Sequence, residues 1–274
     1  MITPQQEQAF YDRQYEAFLA LPDHALRLDR AILEANLDNP AHPFYERRRL
    51  YRAAISALLE DPLPGRRVLD YGCGPADFGI WMATEEAEVT LLDLSPKAIE
   101  LGLKRAAASG VARRVKGVAA DAARLDMFAD QAFELVFACA SLHHTLKYPG
   151  AVEELARVMK PGARLVLCET WGANPLLGFA RRWRAALEGE AEEQGEEIIL
   201  NPAELRRLDP FFTEIDIRPL NLLAMGKRLL RGRLHRPAAQ ATLRTLEAAD
   251  GALLALIPAL RRWCGEAVIV ARRL

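Results

Sequence analysis

The stretch VLDYGCGPADFG, residues 68–79, runs from strand-like residues into a turn with glycines at 72, 74 and 79. Glycines directly after a buried strand let the backbone approach a ligand closely, and a helix beginning there turns its free N–H groups and positive dipole end toward the same ligand. The turn reads as a nucleotide-binding turn. Two acids narrow the choice: Asp70 stands where a pyrophosphate would meet a negative charge, and Asp77 occupies the third glycine position of the nicotinamide-dinucleotide fingerprint.

Outward from this turn the pattern alternates. Mostly continuous apolar runs at 67–70, 89–93, 115–118, 134–139 and 164–169 predict strands covered on both faces, with helical segments between them. The clearest helix opens at Ser95 with Pro96 in its first position and stops at Gly110. Strands alternating with helices predict an α/β fold with a doubly wound, Rossmann-like, mostly parallel sheet. Further strands are expected at 213–219 and in EAVIVARR, 266–273.

Before the turn, the sequence is helical. Thr3, Pro4 and Gln6 form a capping signature, Tyr11, Tyr15 and Phe18 share one helical face, and further helices are expected over 24–38 and 43–60. The prolines and glycine of EDPLPG then mark a junction. These features predict a helical cap or lid over 1–62 and a main domain over 63–274, with helical insertions at about 172–200 and 225–262. In the first insertion, helical pattern gives way to the acidic run EGEAEEQGEE, and Asn201, Pro202 and Glu204 then open another capped helix.

Composition excludes several classes. With 36 basic and 37 acidic residues in 274, the chain has no global pull toward nucleic acid or anionic lipid. The four cysteines lack CxxC spacing and read as reduced thiols, so a cytoplasmic location is expected. MITPQQEQAF is not a secretory signal, and no apolar run approaches 18 residues, so no stable membrane insertion is expected. No ligand cluster for zinc or magnesium is visible, and no metal is expected.

The second strand ends in Asp93, where a carboxylate can take two ribose hydroxyls. A ligand that suits both the glycines and the acids brings a carboxylate for the turn, an ammonium group for Asp70 and a ribose; S-adenosylmethionine does so. Asp70 can alternatively brace the turn through its own hydrogen bonds.

Here the chain resembles the class I S-adenosylmethionine-dependent methyltransferases, over about residues 66–171 plus the terminal strand pair. VLDYGCGPADFG looks like their first motif, with Ala76 replacing the glycine often found third. LLDLSPKAIELG, 91–102, resembles the acidic ribose motif, implying Asp93 on the ribose and Leu94 against the adenine. AADAARLD, 119–126, is similar to the third-strand motif, implying Asp121 near the adenine amino group and the Ala122 backbone near the ring. FELVFACASLHHT, 133–145, resembles the fourth, whose first loop residues, from Cys139, line the methyl-transfer site, and LARVMKPGARLVLCE resembles the segment through the fifth strand. The resemblance implies seven strands, the last antiparallel, with S-adenosyl-L-methionine as cofactor and S-adenosyl-L-homocysteine as product. The implied cofactor residues are Asp70, Gly72, Cys73, Gly74, Asp93, Leu94, Asp121, Ala122 and Cys139.

Methyl transfer from a sulfonium is an in-line displacement, in which positioning contributes most and a base helps when the acceptor is a hydroxyl. His143 and His144 follow the fourth strand directly and are the candidates for a base or an acceptor-orienting group, His144 preferred; the alternative is a pair that stabilises the loop. Tyr11 and Tyr15 either close a lid over cofactor and acceptor or simply pack. Glu169 and Trp171 fall on the expected ligand-facing edge, where Glu169 orients an acceptor or caps a helix. Lys227, Arg228, Arg231, Arg233 and Arg236 in MGKRLLRGRLHRP meet an anionic acceptor, a carrier protein or a membrane surface, or form a solvated face.

Nucleic-acid amino-methyltransferases of this fold have Asn or Asp before two prolines where ACAS stands here. The reading is methyl transfer to a hydroxyl, amine or carbon of a small-molecule acceptor, with no nucleic-acid partner, plausible in a biosynthetic pathway. The competing reading is a protein that binds S-adenosylmethionine or S-adenosylhomocysteine without methylating; a nicotinamide-dependent oxidoreductase is disfavoured by Asp70 and Asp77. No pattern assigns an oligomeric state.

Overall fold

The computed structural model of the chain describes residues 4–175, 177–179 and 199–274. Seven strands form one sheet: β1 Arg67–Tyr71, β2 Glu88–Asp93, β3 Val115–Ala119, β4 Phe133–Cys139, β5 Met159–Thr170, β6 Phe212–Leu220 and β7 Glu266–Arg273. Their order is β3-β2-β1-β4-β5-β7-β6, and β7 runs antiparallel to both neighbours. Each expected strand is present. β5 starts earlier than its apolar run because Met159 already pairs with Phe133, and a register shift before Leu135 absorbs the segment between Met159 and Arg164. The order reverses between β1 and β4, which places a crevice at their carboxyl ends.

The helices are α1 Pro4–Leu19, α2 Asp23–Leu26, α3 Arg30–Asp38, α4 Arg48–Leu58, α5 Asp77–Thr84, α6 Pro96–Ala108, α7 Leu142–Thr145, α8 Ala151–Val158, α9 Pro202–Leu205 and α10 Pro237–Leu256. Single-turn or longer 3₁₀ segments include Pro43–Arg47, Leu223–Leu230 and Pro258–Trp263. The helix expected over 24–38 is broken because the Asp29 side chain turns back to accept from the Ile32 N–H and restarts the chain as α3. The Ser95 and Asn201 caps form as read: each side chain accepts backbone N–H groups of the helix it opens. Thr3, most of the insertion at 172–200 and its acidic run lie outside the described residues.

Successive strand residues point to opposite faces. Val68, Val89, Leu135 and Phe137 pack with Leu33, Leu50, Leu58 and Trp81 from the helices on one side, while Leu69, Tyr71, Val136 and Leu165 pack with Leu155 and Phe212 on the other. The α4 helix thus shares the core that covers the sheet. The α1 helix lies instead on α6, where Asp12 accepts from the Ser95 hydroxyl and the Lys97 N–H, and Lys104 donates to the Leu19 and Leu21 carbonyls.

The α5 helix crosses β1 and β2 closely enough that a Cβ at Gly79 would stand 2.5 Å from both Asp70 Oδ2 and Leu91 Cδ2. Overpacking at such a contact costs about 1–3 kcal/mol. Gly79→Ala is expected to lower the urea midpoint of unfolding accordingly, with an unchanged slope.

Candidate active site

At the carboxyl ends of β1, β2 and β4, beneath α1, lies a cavity of about 310 Å³. Its floor is the glycine turn. Gly72 and Gly74 both take positive φ (68° and 51°), and a Cβ on Gly72 would lie 2.5 Å from the Ser141 Cβ. Gly72 is therefore required by the loop after β4 as well as by any ligand. Above Gly74 stands the hydroxyl of Tyr15, with the Tyr11 ring stacked beside it at 6.2 Å. Ala76, the departure from the first motif, also takes positive φ (60°), and its methyl faces Gly102 of α6, so that helix makes room for it.

Asp93 organises this corner. Its Oδ2 accepts from the Gly74 N–H at 2.8 Å and its Oδ1 from the Ser95 N–H at 2.9 Å. A carboxylate has about four lone-pair sites, so the two oxygens retain acceptor capacity toward the cavity that they line. Burial raises the Asp93 pKa while the Ser95 and Gly74 N–H groups oppose that rise. Asp77 lines the same cavity and is ion-paired to Arg105 of α6. Asp121, a third carboxylate on the wall, accepts from the Ala123 N–H. Tyr71 ties the far side together by donating to the Ala122 carbonyl and sharing a hydrogen bond with Thr145.

The structure corrects the direct role expected of Asp70. Its side chain points to the α5 face of the sheet, against Gly79, and is absent from the cavity lining. Asp70 is 2% exposed and its Oδ2 has no hydrogen-bond partner among the described residues. Burial first, then the charges of Asp93 and Asp77, push its pKa up to about 8, against the opposing pull of the Gly79 N–H. Asp70 sits behind the turn, where strand alternation directs it.

The loop after β4 carries the histidines. Ala140 takes positive φ (53°), a costly geometry for a residue with a Cβ. The Ser141 and Leu142 N–H groups both donate to Glu169 Oε1 at 3.2 Å, and Glu169 Oε2 stands 2.8 Å from His143 Nδ1. Glu169 is fully buried. One carboxylate at the end of β5 therefore shapes the loop and orients an imidazole. His144 stacks near His143, ring centroids 4.2 Å apart; burial, then the charges of His143 and Lys147, push its pKa down to about 3.

A second, larger cavity of about 1170 Å³ adjoins the first. Tyr11, Phe44, Arg47, Tyr51, Ala140 and His144 line both. Of the residues expected at the site, Gly72, Cys73, Gly74, Asp93, Leu94, Asp121, Ala122, Cys139, Tyr11, Tyr15 and His144 border the smaller cavity, and His143 borders the larger one. Trp171 departs from expectation: it is buried in the core on the Leu165 side of the sheet and borders neither. Sequence reading missed Arg47 and Tyr51, which lay in a stretch read only as helix, and Tyr71 and Ser141, which flank motif residues already named.

The sheet order, the glycine turn and the acid ending β2 define the class I methyltransferase fold. A family model described as a methyltransferase domain matches residues 68–162. The demethylmenaquinone methyltransferase of Clavibacter sepedonicus is 34% identical over 49% of this chain and 52% of its own. The 27-O-demethylrifamycin SV methyltransferase of Amycolatopsis mediterranei is 39% identical over 38% of each. The chain spans about half the length of the first of these relatives. A solved geranyl diphosphate C-methyltransferase from Streptomyces coelicolor shares the fold with a TM-score of 0.54 at 20% identity, over 88% of both chains. Residues 68–162 thus match a methyltransferase domain, set on a sheet with the class I methyltransferase order.

The raised Asp70 pKa has a thermodynamic consequence. Between the 3.8 of an ordinary Asp and about 8, the folded protein holds a proton that the unfolded chain releases, so this residue's contribution to stability falls as pH rises. Asp70→Asn lacks that titration. Urea unfolding from pH 4 to pH 8 is expected to show the stability of the variant relative to wild type increasing steadily, whereas a pH-independent difference contradicts the assignment.

Proposed function

We propose that this chain transfers a methyl group from S-adenosylmethionine to a small-molecule acceptor. The observation that carries the reading is the junction of two cavities, the smaller beside the glycine turn and the larger beside the Glu169-oriented imidazole of His143. The smaller suits an amino-acid nucleoside: glycines bare backbone toward it, and Asp77, Asp93 and Asp121 face hydroxyls, an amine or an ammonium group favourably and a pyrophosphate unfavourably. At 310 Å³ it also falls within the roughly 300–1,000 Å³ of small-molecule sites.

In this reading the backbone of Gly72, Cys73 and Gly74 takes the amino-acid end, Asp93 accepts the ribose hydroxyls, and Leu94, Asp121 and Ala122 meet the adenine. Bound S-adenosylmethionine supplies an electrophilic methyl group whose carbon–sulfur bonding pair returns to sulfur, leaving the thioether. Tyr11, Tyr15, Phe44 and Tyr51 exclude water from the junction and hold the acceptor in line, which is where most of the rate advantage of such a displacement originates. Arg47, His144 and Ala140 complete its wall.

For a hydroxyl acceptor, His143 is the better base. Pairing with Glu169 fixes the proton on Nδ1, leaves Nε2 to receive the acceptor's proton, and stabilises the imidazolium that results. His144, preferred from sequence, has its proton affinity suppressed by burial, and its role is to orient the acceptor. The paired base supports an enzyme over a protein that only binds the cofactor. The four free cysteines support a reducing, cytoplasmic setting.

The test is S-adenosylhomocysteine production from S-adenosylmethionine over a panel of phenols, amines and carbon acids. Turnover of at least one class above the buffer rate is expected. With a phenol, His143→Gln and Glu169→Gln are expected to lower kcat by about 10²-fold or more while changing KM for S-adenosylmethionine less than twofold. Binding of S-adenosylhomocysteine without turnover of any acceptor would establish the non-methylating alternative instead.

A further inference from the structure

The basic stretch of 225–237 does not act as one surface. Arg233 and Arg236 are exposed, but the other three cations are placed individually by the fold. Lys227 is buried and donates to Glu266 at 2.7 Å. Arg231 makes a two-pronged pair with Glu46, at 3.0 and 3.1 Å. Arg228 lies between them on the 3₁₀ segment Leu223–Leu230 and turns to the larger cavity. Among the described residues, its buried Nε has no hydrogen-bond partner.

That segment is held firmly. The Leu222, Leu223 and Ala224 N–H groups all donate to Asp250, a fully buried carboxylate of α10. Arg47 borders the same cavity from the opposite side of the chain, donating to Thr170 Oγ1 at 3.2 Å. Its Nε also stands 3.5 Å from Glu266 Oε1, while Glu266 Oε2 accepts from Lys227 and Asn221, so one carboxylate there faces two cations.

Among the described residues, the cavity wall therefore bears Arg47, Arg228 and Arg231 against a single acid, Glu46. Glu46 is committed to Arg231, which leaves the guanidinium groups of Arg47 and Arg228 in excess. Burial and the nearby Arg47 both lower the Arg228 pKa, which places the two cations in one electrostatic environment. Guanidinium groups that outnumber the acids beside them in a concave, partly desolvated wall favour a planar or tetrahedral oxyanion, with which they form charge-assisted and often two-pronged hydrogen bonds. The two cavities then differ in charge: among the described residues three carboxylates border the smaller one, the larger carries the excess of cations, and Arg47 lines both.

We propose that the methyl acceptor carries an anionic group, a carboxylate or a phosphate, bound by Arg228 with Arg47. This deepens the methyl-transfer reading and rests on it: the anion anchors the acceptor at one end while its nucleophile reaches the junction beside His143. Arg228 is a specificity-determining residue in this arrangement and takes no part in the chemistry.

The experiment is calorimetric titration of the full chain, loaded with S-adenosylhomocysteine, with three probes of similar size: 4-hydroxybenzoate, 4-hydroxyphenyl phosphate and the neutral 4-hydroxybenzamide. At least one anion is expected to bind tenfold or more tightly than the amide, and the stronger arm identifies carboxylate or phosphate. Arg228→Gln is expected to reduce that preference to less than twofold with S-adenosylhomocysteine affinity unchanged, and Arg228→Lys to keep part of it. If S-adenosylhomocysteine binds but the anions show no advantage over the amide, none of the probes binds, or the preference survives in Arg228→Gln, the anion site is refuted while methyl transfer stands. Failure of S-adenosylhomocysteine to bind the folded wild-type chain removes the methyl-transfer reading, and this proposal with it.

Discussion

The Asp93 carboxylate is the constraint on which the site depends. It accepts from Gly74 with one oxygen and from Ser95 with the other, so a single side chain locks the turn after β1 to the start of α6. Hydrogen bonds to a charged group contribute about 1.5–3 kcal/mol each, and here they also fix geometry. Ser95 in turn caps α6 and donates to Asp12 of α1. The glycine turn, the helix beside it and the helix over the cavity are thus placed through one acid. Glu169 has the corresponding role on the other side of the crevice, where it sets the loop after β4 and the His143 imidazole.

Much of this was legible in the sequence because it rests on local rules. Buried strands such as β1, β2, β4 and β7 are apolar along most of their length and could be read directly, and the Ser95 and Asn201 caps are set by residues within three positions of themselves. Asp93, Gly72 and Gly74 carry their meaning in their place at strand ends. Asp70 was misassigned because its position along β1 was considered without its face: alternation puts it with Val68, under α5, whereas Tyr71 faces the other side. Trp171 illustrates the same limit just beyond β5. Arg228 was visible only as one of five cations in a basic stretch and Arg47 not at all, since the two are 181 residues apart and meet one cavity only because the 3₁₀ segments Pro43–Arg47 and Leu223–Leu230 both border it.

The division of charge gives the site its chemical logic. Among the described residues, Asp77, Asp93 and Asp121 border the cavity beside the glycine turn, whereas Arg228 and Arg231 with a single acid, Glu46, border the adjoining one and Arg47 lines both, so the two ends of the crevice differ in charge. The aromatic residues between them provide a junction of low polarity. In such a place a displacement that neutralises charge at sulfur is not opposed by loss of solvation. The His143 imidazole borders the larger cavity next to His144, which lines both, and Glu169, with no exposure of its own, holds it from behind.

A crevice held open by Asp93 that suits an adenosyl amino acid should turn away a dinucleotide. Calorimetric titration of ligand-free, folded protein with S-adenosylhomocysteine and, separately, with NADH tests it most directly. One site for S-adenosylhomocysteine, weakened at least tenfold in Asp93→Ala, and no heat with NADH are expected. Saturable NADH binding with none for S-adenosylhomocysteine would contradict it.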